Sequence, residues 1–164
     1  MARIRADQPL MPSLLDRLLD YDPENSREAQ PSRNQVLRDL KQTLRRDLEN
    51  LLNTRRYIVT PDSGLKELKQ SLLNYGLPDF LGLNMSAPKD REEFCRQLQI
   101  VIKQCEPRFK TVKVHLLTNA EPLDRTLRFR IDALMYADPA PEAVIFDSSL
   151  EPSTGIVQVK GSTG

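Results

Sequence analysis

The sequence predicts an α+β fold in which amino-terminal helices pack on a carboxy-terminal antiparallel β-sheet. Apolar residues recur at three- and four-residue intervals through the middle of the chain, and from Val112 onward the period drops to two. The order of the elements gives the same answer: several helices come first and three or four strands follow with short polar turns, which places one helical layer against one sheet. The chain has 164 residues, within the usual size of one domain, and contains no internal repeat.

Ser13 can cap a turn or two of helix through Leu19, where Leu14, Leu15, Leu18 and Leu19 form a small apolar ridge. Residues 20–33 are polar, hold two prolines and follow no period, so they read as a linker. The expected organisation is therefore a docking helix with a flexible linker over 1–31 and a single α+β domain over 32–164. Ser32 and Gln35 have the capping-box spacing. The stripe Leu37, Leu40, Leu44, Leu48, Leu51 then predicts a helix over about 33–53. Its other faces carry Arg38, Lys41, Arg45 and Arg46 beside Asp39, Asp47 and Glu49, either a solvated face of mixed ion pairs or an intersubunit surface.

Residues 54–62 leave that helix through a short β-prone piece. Asp62 or Ser63 can cap a second helix using Leu65, Leu68 and Leu72, which Gly76 and Pro78 stop. A third helix is expected to begin near Ser86, with Pro88 in its first turn and Asp90, Glu92 and Glu93 toward the positive end of its dipole. Phe94, Leu98, Val101 and Cys105 line one side of it, and Cys95 and Ile102 widen that face.

Two strands follow: Val112, Val114 and Leu116 alternate in the first, and Leu127, Phe129, Ile131 and Ala133 alternate in the second against Arg128, Arg130 and Asp132. Residues 119–124 supply the polar turn between them. Further strands are predicted at 143–147 and 155–160, with a turn around Pro152 and Gly155.

Between the last helix and the first strand stands Glu106-Pro107-Arg108. Pro107 cannot continue a helical ladder and biases Glu106 toward an extended backbone, so the tripeptide is expected to form a rigid corner that aims the strand. Arg108 offers a planar donor fork for a carboxylate or carbonyls, and Glu106 can accept from a backbone amide or an adjacent subunit. Three readings follow: an intramolecular brace, an assembly contact, or a general acid at Glu106.

Composition removes several other classes. With 24 Lys and Arg against 23 Asp and Glu the molecule has no strong field for a polyanion, so no nucleic-acid partner is expected. No window approaches the roughly 18 apolar residues of a membrane span, which predicts a cytoplasmic protein without membrane insertion. Cys95 and Cys105 lie about 15 Å apart along one predicted helix, too far for a disulfide between them, and read as reduced packing thiols. His115 is the one histidine and stands on a strand without a recognisable Ser or Cys nucleophile motif. No zinc-ligand spacing and no glycine-rich phosphate loop is encoded, so no catalytic residue, cofactor or metal ligand is assigned.

Four strings resemble the TssE family of type VI secretion baseplate subunits and the related phage baseplate wedge proteins once labelled lysozyme-related. They are PSLLDRL at 12–18, VLRDLKQTLRRDLENLLNTRR at 36–56, YGLPDF at 75–80, and CEPRFKTVKV at 105–114 leading into RFRIDALM at 128–135. In the family pattern Glu106, Pro107 and Arg108 are the signature tripeptide, and Leu51, Leu52, Asn53, Thr54 and Arg55 match the helix-ending LLNTR segment. Phe109 stands where Leu is also typical.

The resemblance implies a non-enzymatic wedge component beside TssF and TssG, linked to the sheath proteins TssB and TssC and through the assembled baseplate to TssK. It also implies recruitment from the cytoplasm to a membrane-docked baseplate. The competing functions are a peptidoglycan-cleaving enzyme, as the old label suggests, and a generic adaptor outside secretion.

Overall fold

A computed structural model describes residues 18, 24, 32–56, 64, 65, 67, 71–80, 87–119, 126–137 and 140–161. Helix α1 spans Arg33–Asn53, with Ser32 as N-cap accepting from the Gln35 amide, as the capping-box spacing requires. Val36, Leu44, Leu48, Leu51 and Leu52 are buried along one face. Helix α2 spans Pro88–Cys105 and buries Phe94, Cys95, Leu98, Val101 and Ile102. Pro88 occupies its first turn, where a missing amide hydrogen costs nothing.

Four strands form one antiparallel sheet in the order β1-β2-β3-β4: β1 Phe109–Leu117, β2 Leu127–Met135, β3 Glu142–Glu151 and β4 Ile156–Gly161. The register sets Leu116 opposite Phe129 and Val114 opposite Ile131. On the next pair it sets Phe146 opposite Ile131 and Val144 opposite Ala133. These side chains share the inner face, and the helices cover it, with α1 against β4 and α2 against β1. Phe94 joins the layers: its ring meets Phe80 at 4.7 Å and Phe129 at 6.0 Å between centroids, both edge-on, the geometry that ring quadrupoles favour.

Two elements differ from the expectation. β3 runs on to Glu151 because Ser148 and Leu150 continue its inward alternation. A serine on the core face hides that period in the sequence. At the end of the expected second helix, Leu72–Asn74 form a 3-10 turn capped by Ser71 rather than the last turn of an α-helix. Leu72 is 88% exposed and Leu65 53% exposed, so neither contributes the buried side that their spacing predicts. Leu68, Asp62 and Ser63 lie outside the described residues, as does Ser86. Gly76 does end the segment, at φ 101°, a conformation that glycine adopts without steric cost.

A braced corner and a clamped strand edge

The corner after α2 is held by charge. Glu106 follows the last helical residue, its amide donating to the Ile102 carbonyl at 2.9 Å, and the Phe109 amide turns back to the Glu106 carbonyl at 3.3 Å. Its carboxylate is buried, 7% exposed, and takes both arms of the Arg108 guanidinium, Nε at 2.7 Å on Oε1 and Nη2 at 2.6 Å on Oε2. The Arg108 amide adds a third donor at 3.2 Å. Pro107 makes this closure short, since the acceptor and the fork sit two residues apart across a fixed φ.

Asp47 of α1 completes the network, accepting from Arg108 Nη2 at 2.6 Å. One guanidinium therefore ties the α2–β1 corner to the middle of α1. Both carboxylates hold the arginine charged, raising its pKa above the usual range, with the Glu106 hydrogen bonds as the largest cause. Tyr75 stands beside this network. Burial raises its hydroxyl pKa first, the charges of Cys105, Asp47 and Glu106 raise it further, and Arg108 opposes them.

The sequence placed Asp47 on a charged face, either solvated with mixed ion pairs or intersubunit; in the structure it occupies the row of Leu44 and Leu51, three residues after one and four before the other. A carboxylate on an apolar stripe requires a partner, and that spacing is the signal that could have found it.

The helix-ending segment makes the second junction. Leu51 and Leu52 enter the core. Asn53 reaches the outer edge of β4, where its Nδ2 donates to the Val157 carbonyl at 2.8 Å and its Oδ1 accepts from the Val157 amide at 2.8 Å. Eight residues earlier Arg45 donates to the Val159 carbonyl at 3.2 Å. Residues 45, 49 and 53 form one row along α1, so that row clamps the edge of β4.

Arg55 and Leu77 then pair as a short parallel bridge, in which the Leu77 amide donates to the Thr54 carbonyl at 2.8 Å and the Arg56 amide donates to the Leu77 carbonyl at 2.8 Å. Gly76 makes this approach feasible, since a Cβ there would stand 2.4 Å from the Thr54 carbonyl oxygen. Arg55 pairs with Asp79 at 2.7 Å in an exposed ion pair. The LLNTR and YGLPDF strings are thus one structural unit.

The opposite sheet edge differs. The Val114 amide points away from β2 and, among the described residues, donates only to the side-chain Oε1 of Gln99 on α2, at 3.4 Å. Antiparallel alternation sets the backbone groups of Val112 and Leu116 on this same edge.

Of the amino-terminal ridge, Leu14, Leu15 and Leu19 lie outside the described residues, and Leu18 is 80% exposed. His115 is exposed, 3.5 Å from Asp132. Burial pushes the Cys95 thiol up to about 11, which fits a packing residue rather than a nucleophile. Among the described residues there is no group of His, Cys, Asp and Glu able to hold a metal, and no helix long and apolar enough to cross a membrane.

No curated protein matches the chain. A chain in the solved structure of the baseplate complex from the type VI secretion system is similar at 19% identity and a TM-score of 0.48, over 70% of this chain and 96% of that one. The family of baseplate wedge protein gp25 matches residues 38–140, over half the sequence and including most of α1, the 3-10 turn, α2, β1 and β2. The chain belongs to the family of baseplate wedge protein gp25.

Proposed function

We propose that the chain is a structural wedge subunit of a type VI secretion baseplate that joins the other wedge subunits, TssF and TssG, to the sheath proteins TssB and TssC. On this reading TssK is met through the assembled baseplate, and the protein works at the cytoplasmic side of a membrane-docked machine. Family membership supports the wedge role.

The observation that carries the sheath link is the asymmetry of the sheet. The β4 edge is occupied by Asn53 and Arg45, whereas β1 offers outward backbone groups with only Gln99 along them among the described residues. An open edge is a template for a partner's extended strand.

The geometry of Glu106 favours a brace over a general acid. Both of its oxygens accept from Arg108 and it is buried. A glycosidase acid must present its proton to a substrate across a cleft from a second carboxyl group.

Co-expression tests this reading. TssF and TssG should co-purify with the chain, and sheath proteins should add to that complex. Val114→Pro removes an outward amide, a change tolerated at a strand edge, and should lower sheath recovery roughly tenfold with the melt and the wedge complex intact. Unchanged sheath recovery contradicts the edge assignment, and absence of any wedge complex contradicts the wedge role.

A further inference from the structure

The two edges of the sheet are capped by side-chain amides of unequal grip. On β4, Asn53 is held by three hydrogen bonds: its Nδ2 donates to the Glu49 carbonyl at 2.9 Å and to the Val157 carbonyl at 2.8 Å, and its Oδ1 accepts from the Val157 amide at 2.8 Å. On β1, the exposed side chain of Gln99 accepts once, from the outward Val114 amide at 3.4 Å, beyond the roughly 2.7–3.2 Å of a strong N–H···O bond. Among the described residues Gln99 Nε2 donates to nothing.

The place of Gln99 is set by α2. Glu92, Cys95, Arg96 and Gln99 fall on one face of that helix and line, with Val114 and Leu116, an open groove along β1. Arg96 is engaged by Glu93 at 2.8 and 2.6 Å, which leaves Gln99 to meet the strand backbone. An N–H makes one strong hydrogen bond, so Gln99 Oε1 and the carbonyl of an added strand compete for the Val114 amide.

We propose that Gln99 is a releasable latch on the β1 edge: its Oε1 stands in for the carbonyl of an incoming sheath strand, shields the edge in the free chain and gives way when that strand pairs. The latch rests on the reading of β1 as the sheath-binding edge. Its release strands no polar group, because Gln99 is exposed and water takes up its amide. Freeing Asn53 would instead break three short bonds. An unpaired edge is a hazard before assembly, and a weak cap lessens that hazard without barring the partner.

Recovery of co-expressed TssB and TssC is compared for the full-length parent, Gln99→Ala and Gln99→Glu, each alone and combined with Val114→Pro. Gln99→Ala should raise recovery about two- to fivefold, the worth of one weak hydrogen bond. Gln99→Glu should lower it, since a carboxylate accepts more strongly than an amide. Both effects should vanish beside Val114→Pro, which removes the contested amide. Recovery that Gln99→Ala leaves unchanged or lowers overturns the latch alone, as does a gain that persists beside Val114→Pro. Absence of sheath proteins from the parent complex contradicts the edge assignment and removes the latch's partner with it.

Hydrogen exchange tests the latch without the partner. In the isolated full-length chain Gln99→Ala should speed exchange of the Val114 amide by about the same two- to fivefold, with the melt unchanged. Unchanged exchange at Val114 means that the 3.4 Å contact does not cap the edge and overturns the proposal.

Discussion

Asp47 and Asn53 stand six residues apart on α1, and each fastens the helix to another part of the chain by different chemistry. Asp47 shares the buried Glu106–Arg108 pair, while Asn53 satisfies both backbone groups of Val157 with a neutral amide. The charged junction spans an element boundary where the chain must change direction. The neutral one covers a strand edge that would otherwise be open to pairing. A charged junction fails badly when one member is lost, because a buried charge is stranded. A neutral one leaves two backbone groups that water can reach. The contrast predicts unequal costs for superficially similar truncations.

The largest effect is expected at Arg108. Arg108→Ala leaves Glu106 buried and unpaired and should cost about 3–5 kcal/mol in denaturant unfolding, toward the lower end because Arg108 and Asp47 are partly exposed. Alkaline pH does not reproduce this loss. The arginine's raised pKa makes its contribution present below its unfolded value and lost only as pH rises through the folded one, above any working range. A cost below about 1 kcal/mol would mean that the corner is held by Pro107 and packing alone.

Asn53→Ala comes next. It strips two hydrogen bonds from Val157 and should cost about 1–3 kcal/mol. It should also speed exchange of the Val157 amide selectively, a local readout that a general loss of stability would not give. Equal costs at Arg108 and Asn53 would erase the distinction between the two junctions.

The smallest effect is expected at Arg55. Its pair with Asp79 is short, but the side chains are 51% and 60% exposed, and Arg55→Ala should shift unfolding by about 0–1 kcal/mol. A loss as large as that at Asn53 would make the guanidinium, and not the backbone bridge of Arg55 to Leu77, the link between the two family strings.

Much of this fold was legible because its elements have uniform faces. α1 begins at the Ser32 cap and ends at Asn53 as its leucine stripe requires, and the two-residue period of β2 maps onto alternating burial from Leu127 to Met135. The failures fall where a residue departs from its stripe. Ser148 faces the core and concealed the second half of β3, and Leu72, at the end of the expected second helix, stands exposed on a 3-10 turn.

The candidate site was legible only in part. Glu106, Pro107 and Arg108 could be read as a corner from proline chemistry. Asp47, which completes the charged network, is 61 residues from Arg108; its place on the leucine row signals that it needs a partner, but no local period says which. The edge clamp by Asn53 was hidden for the same reason, since its partner Val157 is 104 residues away.

The most direct test of the structural role is a paired measurement on the parent and Glu106→Gln, a change that keeps the shape of the side chain and removes its charge. Assembly with co-expressed TssF and TssG and release of soluble fragments from purified peptidoglycan are followed on the same preparations. A brace predicts that the parent assembles and releases nothing. It also predicts that the variant stays folded at a lower melting temperature and that its assembly falls in step with that loss. Hydrolysis by the parent that disappears in Glu106→Gln, while assembly and melting stay unchanged, would contradict the account and make Glu106 a general acid.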